Sequence, residues 1–114
     1  MKTIIAGSRT ITDYGLVIDA VRDSGFEIHE VVCGMARGVD LLGKRWAQDY
    51  GVDVKEFPAD WNRHGKKAGF LRNLEMAEYA DALVAVTSGS LGTAHMIDIA
   101  RAKGLKVFVS NVTR

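Results

Sequence analysis

The chain alternates between short, continuously apolar runs and longer stretches in which apolar residues return every three or four positions. The first pattern marks strands buried on both faces, and the second marks amphipathic helices. Thr3 to Ala6, rich in β-branched residues, predicts a buried strand that Gly7-Ser8-Arg9 ends. Thr12 or Asp13 can cap the next helix, because a short oxygen side chain accepts from an N–H that has no carbonyl partner in the first turn. Leu16, Val17, Ala20 and Val21 supply that helix's stripe and Ser24-Gly25 its stop. Ile28 to Cys33 predicts a second strand, with Glu27, His29 and Glu30 indicating exposure at its start. Val39, Leu42, Trp46 and Tyr50 lie on one stripe of a second helix that Gly51 closes. Val52 to Phe57 is more polar and alternating, as expected of a strand near an edge. Pro58 to Lys67 reads as a charged loop. Ala68 to Ala80 reads as a helix packing through Leu71, Leu74, Ala77 and Tyr79. Ala82 to Val86 predicts a central strand, a helix follows from about Thr93 to Lys103, and Lys106 to Val109 forms a fifth strand.

This strict alternation of strand and helix implies an α/β fold with a parallel sheet of about five strands between two helical layers. Residues 1–114 read as a single domain, without repeats, linkers or low-complexity tracts. With right-handed crossovers the expected strand order is 3-2-1-4-5. That order puts a topological switch between the first and fourth strands, and open α/β sheets bind ligands in the crevice off the carboxyl ends there.

Glycine-containing turns follow three of the strands. They are Gly7-Ser8-Arg9, the run Gly34 to Asp40, and Ser88-Gly89-Ser90-Leu91-Gly92-Thr93. Small residues let a backbone approach an anion, and a helix start offers free N–H groups with a partial positive charge. Gly7, Ser8, Arg9, Gly34, Ala36, Arg37, Gly38, Ser88, Gly89, Ser90, Gly92 and Thr93 are therefore candidate ligand-binding residues around one nucleotide-type pocket. Arg9 and Arg37 add permanently charged guanidinium groups. Asp40 sits in a first helical turn, where the dipole alone favours a carboxylate; it could instead hold Arg37 or a ribose hydroxyl. Thr93 is either a helix cap or a phosphate contact. None of the turns is a Walker loop or a complete Gly-x-Gly-x-x-Gly fingerprint. Trp61 could stack on a base or seal the core beneath its loop. Arg63, His64, Lys66 and Lys67 read as a solvated basic loop or, alternatively, as a ligand or nucleic-acid contact, and Cys33, Trp46 and Met96 as packing residues.

Composition narrows the class. An apolar fraction of 47% and a charged fraction of 25% are ordinary for a soluble domain of 114 residues. A net charge of +1 weighs against a general polyanion binder. Cys33 is the only cysteine, so no internal disulfide or Cys-rich metal site is expected, and a cytoplasmic compartment fits. Met1 to Ala6 reads as a strand rather than a signal peptide, and no run reaches the roughly 18 apolar residues of a membrane span.

The three turns, with Phe57-Pro58-Ala59-Asp60-Trp61 and Ala68-Gly69-Phe70-Leu71-Arg72-Asn73-Leu74-Glu75-Met76 between them, resemble the SLOG superfamily, in particular its YspA-type, cpYpsA-related branch. The resemblance implies a Rossmann-like fold that binds nucleotides or nucleotide-derived ligands, and frequent pairing through helices, so a homo-oligomer is expected. The superfamily includes LOG phosphoribohydrolases, whose motif ends in a catalytic Glu and which use an Arg earlier in the chain. Arg72 matches that Arg, and Asn73 beside it is suited to a sugar or base. The Glu position holds Met96, and a thioether cannot stabilise an oxocarbenium-like centre or position water. Asp40, Glu75 and Asp98 are the candidate replacements. The resulting expectation is a nucleotide-ligand binding protein, acting as a sensor or a sequestering protein, with no metal or further cofactor identified. The alternatives are an N-glycosidic hydrolase with a displaced carboxylate and a single-strand DNA binder related to DprA.

Overall fold

The computed structural model describes residues 1–112. Those residues form a five-stranded parallel sheet in the order β3-β2-β1-β4-β5, with helices on both faces. Along the chain, β1 (Lys2–Gly7), α1 (Tyr14–Ser24), β2 (Glu30–Cys33), α2 (Val39–Asp49) and β3 (Asp53–Glu56) build one half. The other half follows as α3 (Trp61–His64), α4 (Ala68–Tyr79), β4 (Ala82–Thr87), α5 (Leu91–Ala102) and β5 (Lys106–Asn111).

Side chains of a strand alternate between faces, so each central strand feeds two cores. Ile4, Val32 and Leu83 pack with Met76 and Ala77 of α4 and Met96 and Ala100 of α5. Ile5, Val31, Val84 and Val86 pack on the opposite face with Val17 and Val21 of α1 and Val39 and Ala47 of α2. Every residue of β4 is buried, as its unbroken apolar run predicts, whereas β3 lies at an edge and is mostly exposed. The continuous burial of β4 stabilises the sheet through apolar area removed from water on both sides.

Local chemistry fixes the ends of the elements. Asp13, rather than Thr12, caps α1 by accepting from the Gly15 N–H at 2.9 Å, and Gly25 closes the helix in the left-handed conformation. Four expectations need correction. The segment after Pro58 is not a loop throughout: Asp60 accepts from the Arg63 N–H at 3.1 Å and starts the one-turn α3, and a 3-10 turn over Gly65–Lys67 leads into α4. Helix α5 begins at Leu91, so Thr93 lies inside it and Ser90 occupies the cap position. The buried stripe of α2 runs through Val39, Asp40, Gly43 and Ala47, while Tyr50 is exposed and stacks on Trp46 at 5.0 Å. The helix turns its small residues to the sheet because they allow close approach, and its aromatic rings cover the flank. In α4 the same shift makes Asn73 a buried residue and leaves Leu74 partly exposed.

Gly38 is the point at which the backbone of the Gly34–Asp40 turn crosses the end of β1. Its φ of 75° lies in the left-handed region, and a Cβ there would collide with the Ser8 and Arg9 backbone. Gly25 has a comparable φ of 69° but open space around it. Gly25→Ala is therefore expected to cost about 1–2 kcal/mol from backbone conformation alone. Gly38→Ala is expected to cost clearly more, because strain and collision add. Urea unfolding of the two variants measures the difference, and equal losses would show that the Gly38 contact is soft.

Candidate nucleotide-binding site

Because β1 and β4 are neighbours, the turns that leave their carboxyl ends lie side by side. Ser8 locks them together. Its side chain is buried, its Oγ accepts from the Ser88 N–H at 2.9 Å, and it stands 3.4 Å from both the Thr87 and Ser90 hydroxyls. The Gly89 N–H donates to Thr87 Oγ1 at 3.0 Å, which sets the course of the third turn. Ser90 does not cap α5 with its hydroxyl; that group pairs with Thr93 Oγ1 at 2.6 Å instead. The first-turn N–H groups of α5 are thus left without a side-chain cap, at the positive end of the helix dipole.

The second turn joins through α4. Arg72 Nη1 donates to the Gly34 carbonyl, and Arg72 Nε donates to Asn73 Oδ1 at 3.1 Å. Asn73, 7% exposed, reaches the Gly92 carbonyl at 3.4 Å through Nδ2 and lies 3.2 Å from His95 Nδ1. The adjacent Arg72-Asn73 pair therefore ties the Gly34 turn to the start of α5. The His95 ring meets Phe70 edge-on at 4.5 Å.

Between these groups lies a crevice of about 530 Å³, a size ordinary for a small-molecule site. The turn residues Gly7, Ser8 and Arg9 form one wall, and Ser88, Gly89, Ser90, Gly92 and Thr93 form the next. Arg72 and Asn73 line a third side, Ala36 and Asp40 close the second-turn corner, and Met76 and Met96 form an apolar part of the lining. Trp61, 51% exposed, and Phe70 stand at the rim. The three turns are thus brought together. Arg37, Gly34 and Gly38 stand apart from this crevice: Arg37 is exposed, and Arg37 and Gly34 border a second depression of about 320 Å³. That depression shares Arg9, Ala36, Trp61 and Arg72 with the first. Glu75 and Asp98 face solvent and do not line the crevice. Of the basic residues between Arg63 and Lys67, Lys66 borders it. Phe70, Gly69 and Met76 were not singled out as site residues from sequence. The spacing carried the signal, since Gly69 stands four before, Phe70 three before and Met76 three after Asn73, on one helical face.

Asp40 is the one carboxylate bordering the crevice among the described residues, and it is 5% exposed. Burial disfavours its charged form, while Arg72, the Ala36 and Gly7 N–H groups and Arg9 favour it; the outcome is a pKa raised to about 6. The Ala36 N–H donates to Asp40 Oδ2 at 3.2 Å. The cations that act on Asp40 are Arg72 and Arg9; Arg37, one of the alternatives the sequence offers for it, is not among them. Arg72 is lowered by its own burial and, in the opposite sense, raised by Asp40. Cys33 lies behind this corner. Its Sγ donates to the Asp40 carbonyl at 3.1 Å, and burial pushes the thiol up to about 11.

Comparison with known proteins matches residues 1–64 to the model of the YspA, cpYpsA-related SLOG family. The matched part holds the first two turns and α3. The chain is also 40% identical over 119 residues to the gene 61 protein of Mycobacterium phage D29, covering 93% of each chain. No solved structure matches it.

The raised pKa of Asp40 sets a pH dependence with a definite sign. Between the ordinary carboxylate value and about 6, the folded protein holds a proton that the unfolded chain has released. The Asp40 contribution is therefore fully present at low pH and is lost as pH rises through about 6. Relative to Asp40→Asn, the wild-type protein should lose stability on the order of 2–3 kcal/mol between pH 4 and pH 7. Urea unfolding of both proteins across that range measures it, and a constant difference between them would contradict the assignment.

Proposed function

Because the chain belongs to the YspA, cpYpsA-related SLOG family, we propose that the crevice at the carboxyl ends of β1 and β4 binds a nucleotide or nucleotide-derived ligand. The observation that carries this reading is the meeting of uncapped α5 N–H groups with Arg9 and Arg72 around a partly apolar hollow. A phosphate seated at Gly89–Thr93 would accept from the first-turn N–H groups of α5, with Arg9 supplying charge. Asn73 is held by Arg72 beside the sugar position. Trp61 and Phe70 offer aromatic faces to a base, a contact worth about 1–3 kcal/mol where a base stacks well. Such a protein would act as a sensor or a sequestering protein for its ligand.

Asp40 supports a second reading, hydrolysis of an N-glycosidic bond. Cleavage of that bond builds positive charge on the sugar, and a nearby carboxylate stabilises it or activates water. Asp40 is the group available for that role where Met96 replaces the glutamate of the hydrolases. In incubations with nucleoside monophosphates, this reading predicts base release that Asp40→Asn and Arg72→Ala both abolish. No release with the wild-type protein removes it and leaves the binding reading intact.

Gly92 gives the sharpest test of binding. It lies in the first turn of α5, its backbone is not in the left-handed region, and space is open where a side chain would go. Gly92→Asp should fold normally, since an acidic residue suits a helix start, yet it sets a negative charge where the phosphate would rest. Calorimetric affinity for nucleoside monophosphates is expected to fall by about tenfold or more. An unchanged affinity would move the phosphate site away from α5.

A further inference from the structure

We propose that the physiological ligand carries a second phosphate-bearing part, as a phosphate-linked dinucleotide does, and that this part occupies the depression bordered by Arg37. The inference rests on the nucleotide-binding reading and extends it to the ligand class.

The second depression, at about 320 Å³, reaches by itself the size of a small-ligand site. It is not an isolated hollow. Arg9, Ala36, Trp61 and Arg72 border both spaces, so the two hollows share a wall that carries two guanidinium groups. The chemistry of the two spaces differs. The larger presents mostly apolar surface with Asp40 at one corner, which suits a nucleoside. The smaller is bordered by Arg9, Arg37 and Arg72, with no carboxylate among its lining residues. None of these arginines makes an ion pair within the described residues. Asp40, at the corner of the larger space, acts on Arg72 and Arg9 but is outnumbered by the three guanidinium groups, and a bound phosphate would balance the excess positive charge while accepting paired N–H donors.

The backbone of this corner is also unusual. Met35 is the non-glycine residue with a positive φ, 64°, among the described residues, and it borders the smaller space between Gly34 and Ala36. Such a conformation is held only where its surroundings enforce it, and it recurs at ligand clamps. Here Arg72 bonding to the Gly34 carbonyl and the Ala36 N–H bonding to Asp40 hold it from both sides. The strained turn keeps Arg37 on the far side of the shared wall.

Isothermal titration of the full chain with adenosine and guanosine monophosphates, and with the 5′-phosphorylated dinucleotides pApA and pGpG, separates the two spaces. At least one dinucleotide should bind about tenfold or more tightly than its mononucleotide, as an added guanidinium–phosphate contact would give. Arg37 borders only the smaller space and is exposed, so Arg37→Ala should fold normally. It should remove most of that gain and change mononucleotide affinity less than twofold. Arg37→Glu should abolish the gain. Equal binding of mononucleotides and dinucleotides, or an Arg37→Ala loss shared equally by both, overturns the inference and leaves the mononucleotide site standing. If neither kind of ligand binds, the nucleotide-binding reading falls and this inference falls with it.

Discussion

The reversal of strand order at β1 and β4 is the constraint on which the whole site depends. A parallel sheet that grows first in one direction and then in the other must leave two adjacent strands whose following segments diverge to opposite faces. The gap between those segments cannot be filled by either. Here α1 and α2 leave to one side and α4 and α5 to the other, and the hollow over the carboxyl ends of β1 and β4 is the result. Hydrogen bonds then give that gap a fixed shape. Ser8 fastens the end of β1 to the turn after β4, and Arg72 with Asn73 fastens α4 to the other two turns. Few of these groups are free to relax independently, so the crevice is organised before any ligand arrives.

That organisation has an electrostatic cost, which falls on Asp40. Its carboxyl is nearly sealed from water, and the nearby guanidinium and N–H groups only partly offset the loss of hydration. A second cost lies in the three arginines that border the smaller space, which have only the buried Asp40 nearby to offset their charge. Perturbed and incompletely paired charges of this kind cluster at functional sites. The apolar sheet beneath, with β4 buried along its full length, supplies the stability that tolerates them.

Much of the fold was legible in the chain because its strands are short apolar runs and its turns carry glycine or an oxygen cap. The strand order followed from handedness and from the continuous burial implied by Ala82–Val86. The convergence of the three turns followed from that order. What the residues did not disclose were matters of rotation and detail. In α2 the small residues Gly43 and Ala47 face the sheet, a choice that periodicity of large residues hides. Asp60 nucleates a turn of helix that the density of charges after Pro58 masked. Arg37 and Asp40 are three positions apart and look like partners, yet the left-handed backbone at Gly38 sends them to different places. The division of the site into two spaces depends on that turn, and no linear spacing encodes it.

Cys33 has one more consequence. Its thiol is sealed at the end of β2, bonded to the first turn of α2 and held protonated at neutral pH. Alkylating reagents attack the thiolate, so their reaction with this sulfur requires the structure that covers it to open. The chain thus carries a natural stopwatch for the opening of the corner beside Asp40, with no second sulfhydryl to blur the reading.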